Sequence, residues 1–93
     1  MKTITIQIGN SDDKLTQKEW ATFCSRVNDA VVEFAQDTHF SGYSQGSQPW
    51  QNACWVCSVL DETSEGFKAR LVEIRASHNQ DSIAWTEGHT IFA

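Results

Sequence analysis

The stretch that decides the fold spans residues 3–34 and reads TITIQIGNSDDKLTQKEWATFCSRVNDAVVEF. Its first six residues alternate between polar and apolar, so that Ile4, Ile6 and Ile8 share one side of a predicted strand. Turn-forming residues at 9–13 then break that strand. The stretch therefore opens with a half-buried strand, which leads through a polar connection into a helix.

The helix is predicted from its start signal and from one apolar stripe. Thr16 and Glu19 have the spacing of a capping box, in which each side chain bonds the other residue's backbone N–H. The apolar residues that follow repeat at helical spacing: Trp20, Phe23, Cys24, Val27, Val31 and Phe34. The pattern predicts a helix over residues 16–36 that turns this stripe toward a core.

The remainder of the chain continues the alternation of strands and helices. Apolar residues on both faces of the second strong strand indicate a central position in a sheet. Residues 90–92 either extend the last strand past Gly88 or form a short return. The predicted elements are a weak strand at 39–45, a strand at 51–60, a helix at 63–77 and a strand at 82–87.

The order β-α-β-β-α-β is the split-βαβ, ferredoxin-like pattern. It predicts an α+β, two-layer sandwich in a single domain, 1–93, with both helices on one face of an antiparallel sheet. Right-handed crossovers give the strand order 4-1-3-2. Another two-layer α+β arrangement with a terminal hairpin is the alternative.

Composition and charge disfavour several classes of function. The 93 residues carry a net charge of −5 without a basic stripe, which disfavours nucleic-acid binding. No apolar run approaches the roughly 20 residues of a membrane span, and no secretion signal precedes the three cysteines. Reduced thiols in the cytoplasm are therefore expected.

The CxxC motif of Cys54 and Cys57 lies inside a predicted strand, where residues three apart point to opposite faces. That geometry disfavours a redox disulfide and indicates buried structural thiols. A zinc site would need a fourth ligand besides these two and Cys24, so no metal and no cofactor is expected. The histidines are scattered as well, and no catalytic set can be assembled from spacing, so an enzyme is the less favoured class.

Polar loops provide the candidate binding site. In the predicted topology the β1–α1, β2–β3 and α2–β4 connections meet at one end of the sheet, where loops on a rigid scaffold commonly bind ligands. The alternative is that these loops are polar because they are solvated and form turns. The candidate ligand-binding residues are Asn10, Asp12, Asp13, Trp50, Gln51, Asn52, Gln80 and Asp81.

Aromatic residues provide a second candidate surface. A two-layer fold covers one sheet face only. If Trp55 or Trp85 points to the other face, it forms an exposed apolar patch of the kind that marks a partner surface. Self-association through that face is the expected consequence, and a homodimer or another protein partner is predicted.

Three segments, residues 6–17, 50–55 and 80–88, resemble stretches of small uncharacterised proteins of actinobacteria and their phages. Those proteins have no assigned activity, so the resemblance implies no catalytic residue. It implies an accessory role in a phage or mobile element.

Three functional hypotheses follow. The first is a non-catalytic accessory protein that acts by protein–protein binding or self-association. The second is a binder of a small polar, nucleotide-like ligand, in which Trp50 stacks on the ligand and the loop amides and carboxylates bond it. The third is a small enzyme that uses the same loops through Asp12, Asp13 and Asp81.

Overall fold

The computed structural model describes residues 1–10, 12–44 and 50–93. All six predicted elements are present in the predicted order, and residues 90–92 join neither a strand nor a helix. The bounds are β1 Lys2–Gly9, α1 Gln17–Phe34, β2 Asp37–Tyr43, β3 Asn52–Val59, α2 Asp61–Ser77 and β4 Ala84–Gly88.

The sheet has the strand order β2-β3-β1-β4, and every neighbouring pair is antiparallel. This is the predicted order 4-1-3-2, viewed from the other edge. Strand β3 lies between two strands, as its two apolar faces predicted. Both helices cover the same side of the sheet, so the two-layer ferredoxin-like architecture is confirmed.

The capping box at the start of α1 is formed as predicted. The Thr16 hydroxyl accepts from the Glu19 amide at 3.1 Å, and the Glu19 carboxylate accepts from the Thr16 amide at 2.9 Å. Helix α2 starts at Asp61, two residues before the predicted start. Asp61 and Glu62 belong to its first turn, where carboxylates favour the positive end of the helix dipole.

The core lies between the sheet and the helices. Ile4, Ile6 and Ile8 of β1 lie opposite Cys57, Trp55 and Ala53 of β3, and all six side chains are buried beneath the helices. The Trp55 indole N–H donates to the side chain of Asn28, an exposed residue of α1, at 3.0 Å, so its one polar atom has a partner at the boundary of the core.

The two strand tryptophans both lie on the helix side. Trp55 is buried, and Trp85 packs edge-on against Phe67 of α2 with ring centroids 5.2 Å apart. Neither ring therefore forms a patch on the uncovered face. The aromatic residue that does lie there is Phe40 of β2, which follows a β-bulge between Thr38 and Phe40.

Within the described residues, no helix combines the length and the apolar character that a membrane span requires.

Candidate functional site

The predicted convergence of the polar loops is present. Asn10 of the β1–α1 connection donates its backbone N–H to the Gln51 carbonyl at 2.8 Å, just before β3. The same connection also contacts the segment between α2 and β4, where the Lys14 ammonium lies 3.4 Å from the Asp81 carboxylate. We call this region the polar end. Residues 45–49, which complete the β2–β3 connection, lie outside the described residues.

Asn10 is 3% exposed and bonds only neighbouring protein groups. Its side-chain N–H groups donate to the Leu15 carbonyl and to the Gln51 side chain, both at 3.0 Å. Its side-chain oxygen accepts from the Leu15 N–H at 3.1 Å. Both N–H groups of the Asn10 amide therefore bond protein groups and hold two loops together. Asn10 has a structural role here, and its amide has no free N–H group to offer a ligand.

Gln51 is occupied in the same way. Its amide N–H donates to the Gln17 side chain at 2.8 Å, and the Gln17 amide donates back at 3.2 Å. This reciprocal pair connects the start of β3 to the first turn of α1. No sequence signal pointed to Gln17, because the pair depends on two segments that approach one another only in the fold.

Two carboxylates of the polar end, those of Asp12 and Asp81, already form ion pairs with a lysine of the same chain. The Lys14 ammonium lies 3.8 Å from the Asp12 carboxylate and 3.4 Å from the Asp81 carboxylate, although Asp81 is 93% exposed. A cation therefore already occupies the position between the two acids. Among the described residues, no group of three His, Cys, Asp or Glu side chains is placed to hold a metal ion.

The remaining candidate residues form turns or lie apart. Asp13 has a left-handed φ of 57° and donates its N–H to the Asn10 carbonyl at 3.1 Å. The Gln80 amide donates to the His78 carbonyl at 3.3 Å, within the turn that ends α2. Trp50 is about half exposed, at 47%. The Asx-type and left-handed conformations here are those that Asn and Asp favour in turns.

A shallow polar depression of about 400 Å³ opens at this end of the sheet. Of the eight candidate residues it is lined by four: Asp12, Asn52, Gln80 and Asp81. Asn10, Asp13, Gln51 and Trp50 do not line it. The structure thus brings half of the predicted set to one cavity, and the binding of a ligand there stays a prediction.

The cysteines are free thiols. Cys57 faces the helices and is buried, whereas Cys54 lies on the opposite face, as the strand geometry predicted. Burial raises the pKa of Cys24 and of Cys57 to about 11. Nucleophilic chemistry needs the thiolate, which these two residues hardly form at neutral pH.

An apolar cleft of about 240 Å³ lies between α2 and β4. Leu71, Ile83 and Trp85 form its apolar lining. Of the two cations at its rim, Lys68 lies 3.4 Å from both Glu65 and Glu87, and Arg75 donates to the Gln80 carbonyl at 3.2 Å. The Lys68 charge is thus balanced by carboxylates, and the apolar side chains dominate the lining of the cleft.

The helices leave the opposite face of the sheet uncovered, and we call it the open face. Its residues follow from the strand register and form three rows across the four strands. In order along the strands, and each written from β2 to β4, the rows are Asp37–Ser58–Thr3–Gly88, the middle row Phe40–Val56–Thr5–Thr86, and Gly42–Cys54–Gln7–Ala84; the pair Gly9–Asn52 continues the same face beyond the last row.

Charge is almost absent from the open face. Asp37, at one corner, is the single Asp, Glu, Lys or Arg in these three rows, and His39, in the bulge next to Phe40, bonds the Ser58 hydroxyl of the same face at 2.7 Å. In the middle row, Phe40 is 58% exposed, and Val56 and Thr5 add aliphatic carbon beside it. Interface cores show this depletion of charge combined with an aromatic residue.

Phe40 lies across Gly42, its neighbour on the same face of β2. A Cβ atom at Gly42 would stand 2.8 Å from the Phe40 ring, so the glycine makes room for the ring to lie along the strand. Beside these two residues is a depression of about 280 Å³, also lined by Cys54 and Gln7. The apolar part of the open face is therefore concave near β2.

No protein-family model matches this sequence, and comparison with curated proteins also finds no match. Among solved structures, the fold is similar to that of a dimeric ferredoxin-like protein of unknown function from Thermobifida fusca YX. The two share 8% identity over 97% of this chain and 92% of that chain, with a TM-score of 0.61. A likeness at this identity establishes the ferredoxin-like fold of this chain.

Proposed function

We propose that this protein acts as a self-associating, non-catalytic accessory protein, and that two copies pair through the open face of the sheet. The observation that carries the proposal is the composition of that face. Of the twelve positions in its three rows, eleven carry no Asp, Glu, Lys or Arg. A surface kept for contact with water alone would be expected to carry more of the chain's 19 charged residues.

The distribution of charge also favours a second copy as the partner. Two chains with a net charge of −5 repel one another, so an interface between them is most favourable where charge is lowest. The open face is such a surface, whereas the outer sides of the helices carry exposed ion pairs such as Arg70 with Glu33. The Thermobifida fusca protein is dimeric, which supports self-association of this chain.

This fold can dimerise by stacking the open faces of two sheets on one another. Paired sheets stack about 10 Å apart, and each side chain of the middle row meets the same row of the partner or one beside it. The Phe40 rings and the Val56 side chains become buried, and the helices remain outside. The result is a four-layer molecule in which the helix-side core of each chain is unchanged.

The test is the oligomeric state of a charged variant. In Val56→Lys an ammonium group stands in the middle row, where dimerisation would bury it without a partner. We expect sedimentation velocity to show a dimer for the wild-type protein and a monomer for Val56→Lys. Val72→Lys, at an exposed valine on α2, is the matched control and should remain dimeric.

Two results would contradict the proposal. One is a wild-type protein that sediments as a monomer at every concentration measured. The other is a Val56→Lys variant that dimerises as well as the wild type. Circular dichroism of each variant establishes that it is folded, and Thr86→Lys in the same row provides a second charged variant on an edge strand.

A second candidate function is the binding of a small polar ligand at the polar end. It is favoured by the depression of about 400 Å³ that Asp12, Asn52, Gln80 and Asp81 share. A ligand with an amine or ribose hydroxyls would compete with Lys14 for the carboxylates. A nucleoside that raises the melting temperature of the wild type and not of Asp81→Asn supports this function; unchanged melting across nucleosides and nucleotides contradicts it.

A further inference from the structure

The segment that follows β4 carries the most exposed apolar side chains of the described residues. Ile91 is 86% exposed and Phe92 is 94% exposed. Single exposed apolar residues are ordinary, but two large adjacent ones outside any strand or helix expose apolar surface that water solvates poorly. We refer to residues 89–93 as the arm.

The arm starts on the open face. Gly88 pairs with Thr3 at the edge of that face, and the Thr90 hydroxyl contacts the Thr3 hydroxyl. Thr3 lies on the side of β1 opposite to the buried Ile4. The contact therefore fixes the base of the arm beside the surface that the proposed dimer covers.

We infer that the arm of each copy crosses to the second copy and places Phe92 in the concave part of its open face, beside Phe40, Gly42 and Cys54. This inference rests on the proposed self-association and specifies how the interface is completed. Each arm packs on the partner, and the two-fold symmetry of a dimer supplies two such contacts.

The dimensions agree with this arrangement when the two-fold axis places the Thr3–Gly88 corner of one sheet over the Gly42–Cys54 corner of the other. Stacked sheets lie about 10 Å apart. From Thr90, two residues of extended chain span about 7 Å, and the Phe92 side chain extends the reach beyond that. The receiving depression measures about 280 Å³, which is large enough for one aromatic ring.

The interface area gives an independent reason for the arm. Four strands spaced about 4.8 Å apart and about 20 Å long give a face of roughly 400 Å², or roughly 800 Å² for two copies. Stable interfaces bury about 1,200–2,000 Å². A buried Phe contributes about 150–250 Å², so two arms bring the dimer to the lower end of that range.

The first test removes the apolar side chains of the arm. In the double variant Ile91→Ser with Phe92→Ser, we expect the dimer dissociation constant to rise at least tenfold by sedimentation velocity. The matched control is Val32→Ser with Val72→Ser, which removes two exposed apolar side chains from the helices and should leave the constant unchanged. A change of less than threefold in the arm variant would overturn the inference.

The second test captures the contact itself. Cys54 is a free thiol on the open face, and the other two cysteines are buried. Under mild oxidation with diamide, Phe92→Cys should form a disulfide-linked dimer on a non-reducing gel, and adding Cys54→Ser should abolish it. A dimer band that persists without Cys54, or the absence of any band in Phe92→Cys, would overturn the inference.

The two proposals can fail separately. If the wild type dimerises and Val56→Lys is monomeric while the arm variant behaves as the wild type, the open-face interface stands and the arm has no part in it. If the wild type is a monomer throughout, the proposed function fails and the arm inference fails with it.

Discussion

Asn10 joins two segments of the chain that are 41 residues apart in sequence. Its residue type was predictable as part of a turn, but its partners were not, because Leu15 and Gln51 reach it only when the sheet is formed. Lys14 is a similar case. Its charge beside Asp12 was visible in the sequence, whereas its approach to Asp81 depends on the α2–β4 connection lying alongside.

Replacing Asn10 with alanine should destabilise the protein. The variant leaves the Leu15 backbone groups and the Gln51 side chain without their partner, and a buried unsatisfied polar group costs about 1–3 kcal/mol. Urea unfolding at fixed protein concentration measures the loss. Asn52→Ala, at an exposed side chain of the same end, should change the free energy of unfolding by less than about 0.5 kcal/mol. Equal losses in the two variants would contradict the role assigned to Asn10.

At the scale of elements, hydrophobic periodicity predicted most of the structure. The isoleucines of β1 and the stripe of α1 each have one face to bury, so their bounds came within about two residues of the observed ones. Strand β2 was predicted two residues late. It is an edge strand with mostly exposed side chains, so backbone pairing with β3 rather than an apolar pattern determines where it begins.

The capping box of α1 should make stability depend on pH. Hydrogen bonds from the Thr16 backbone and side chain lower the pKa of Glu19 below its ordinary value of 4.5. A lowered folded-state pKa means that the unfolded state binds the proton more readily, so the contribution is present above pH 4.5 and is lost as the pH falls through the folded-state pKa. Thermal melting between pH 7 and pH 3 should therefore fall more steeply for the wild type than for Glu19→Gln.

The control for this prediction lies on the other helix. Glu62 is in the first turn of α2, which has no side-chain cap hydrogen bond. Glu62→Gln should flatten the wild-type curve between pH 7 and pH 3 less than Glu19→Gln does, because its carboxylate interacts with the helix dipole but makes no cap hydrogen bond. If the two variants flatten the curve equally, the capping-box hydrogen bonds contribute nothing that depends on the charge of Glu19.

At the scale of the whole molecule, the topology was predictable and the surface was not. Right-handed crossovers leave few arrangements for six elements in this order, and the strand order followed from them. The side on which Trp85 lies depended on its register with Ile6, which the sequence does not specify. The low charge of the open face became visible only once the three rows were assigned.

The central claim concerns which surface is covered in solution. The most direct measurement is the broadening of methyl NMR signals by a soluble gadolinium chelate, because it compares surfaces within one sample of the wild-type protein. Thr5, Val56 and Thr86 report on the open face, and the exposed Val32 and Val72 report on the helices. We predict weak broadening on the open face and strong broadening on the helices. Strong broadening of Val56 and Thr86, matching that of Val32 and Val72, would contradict pairing through the open face.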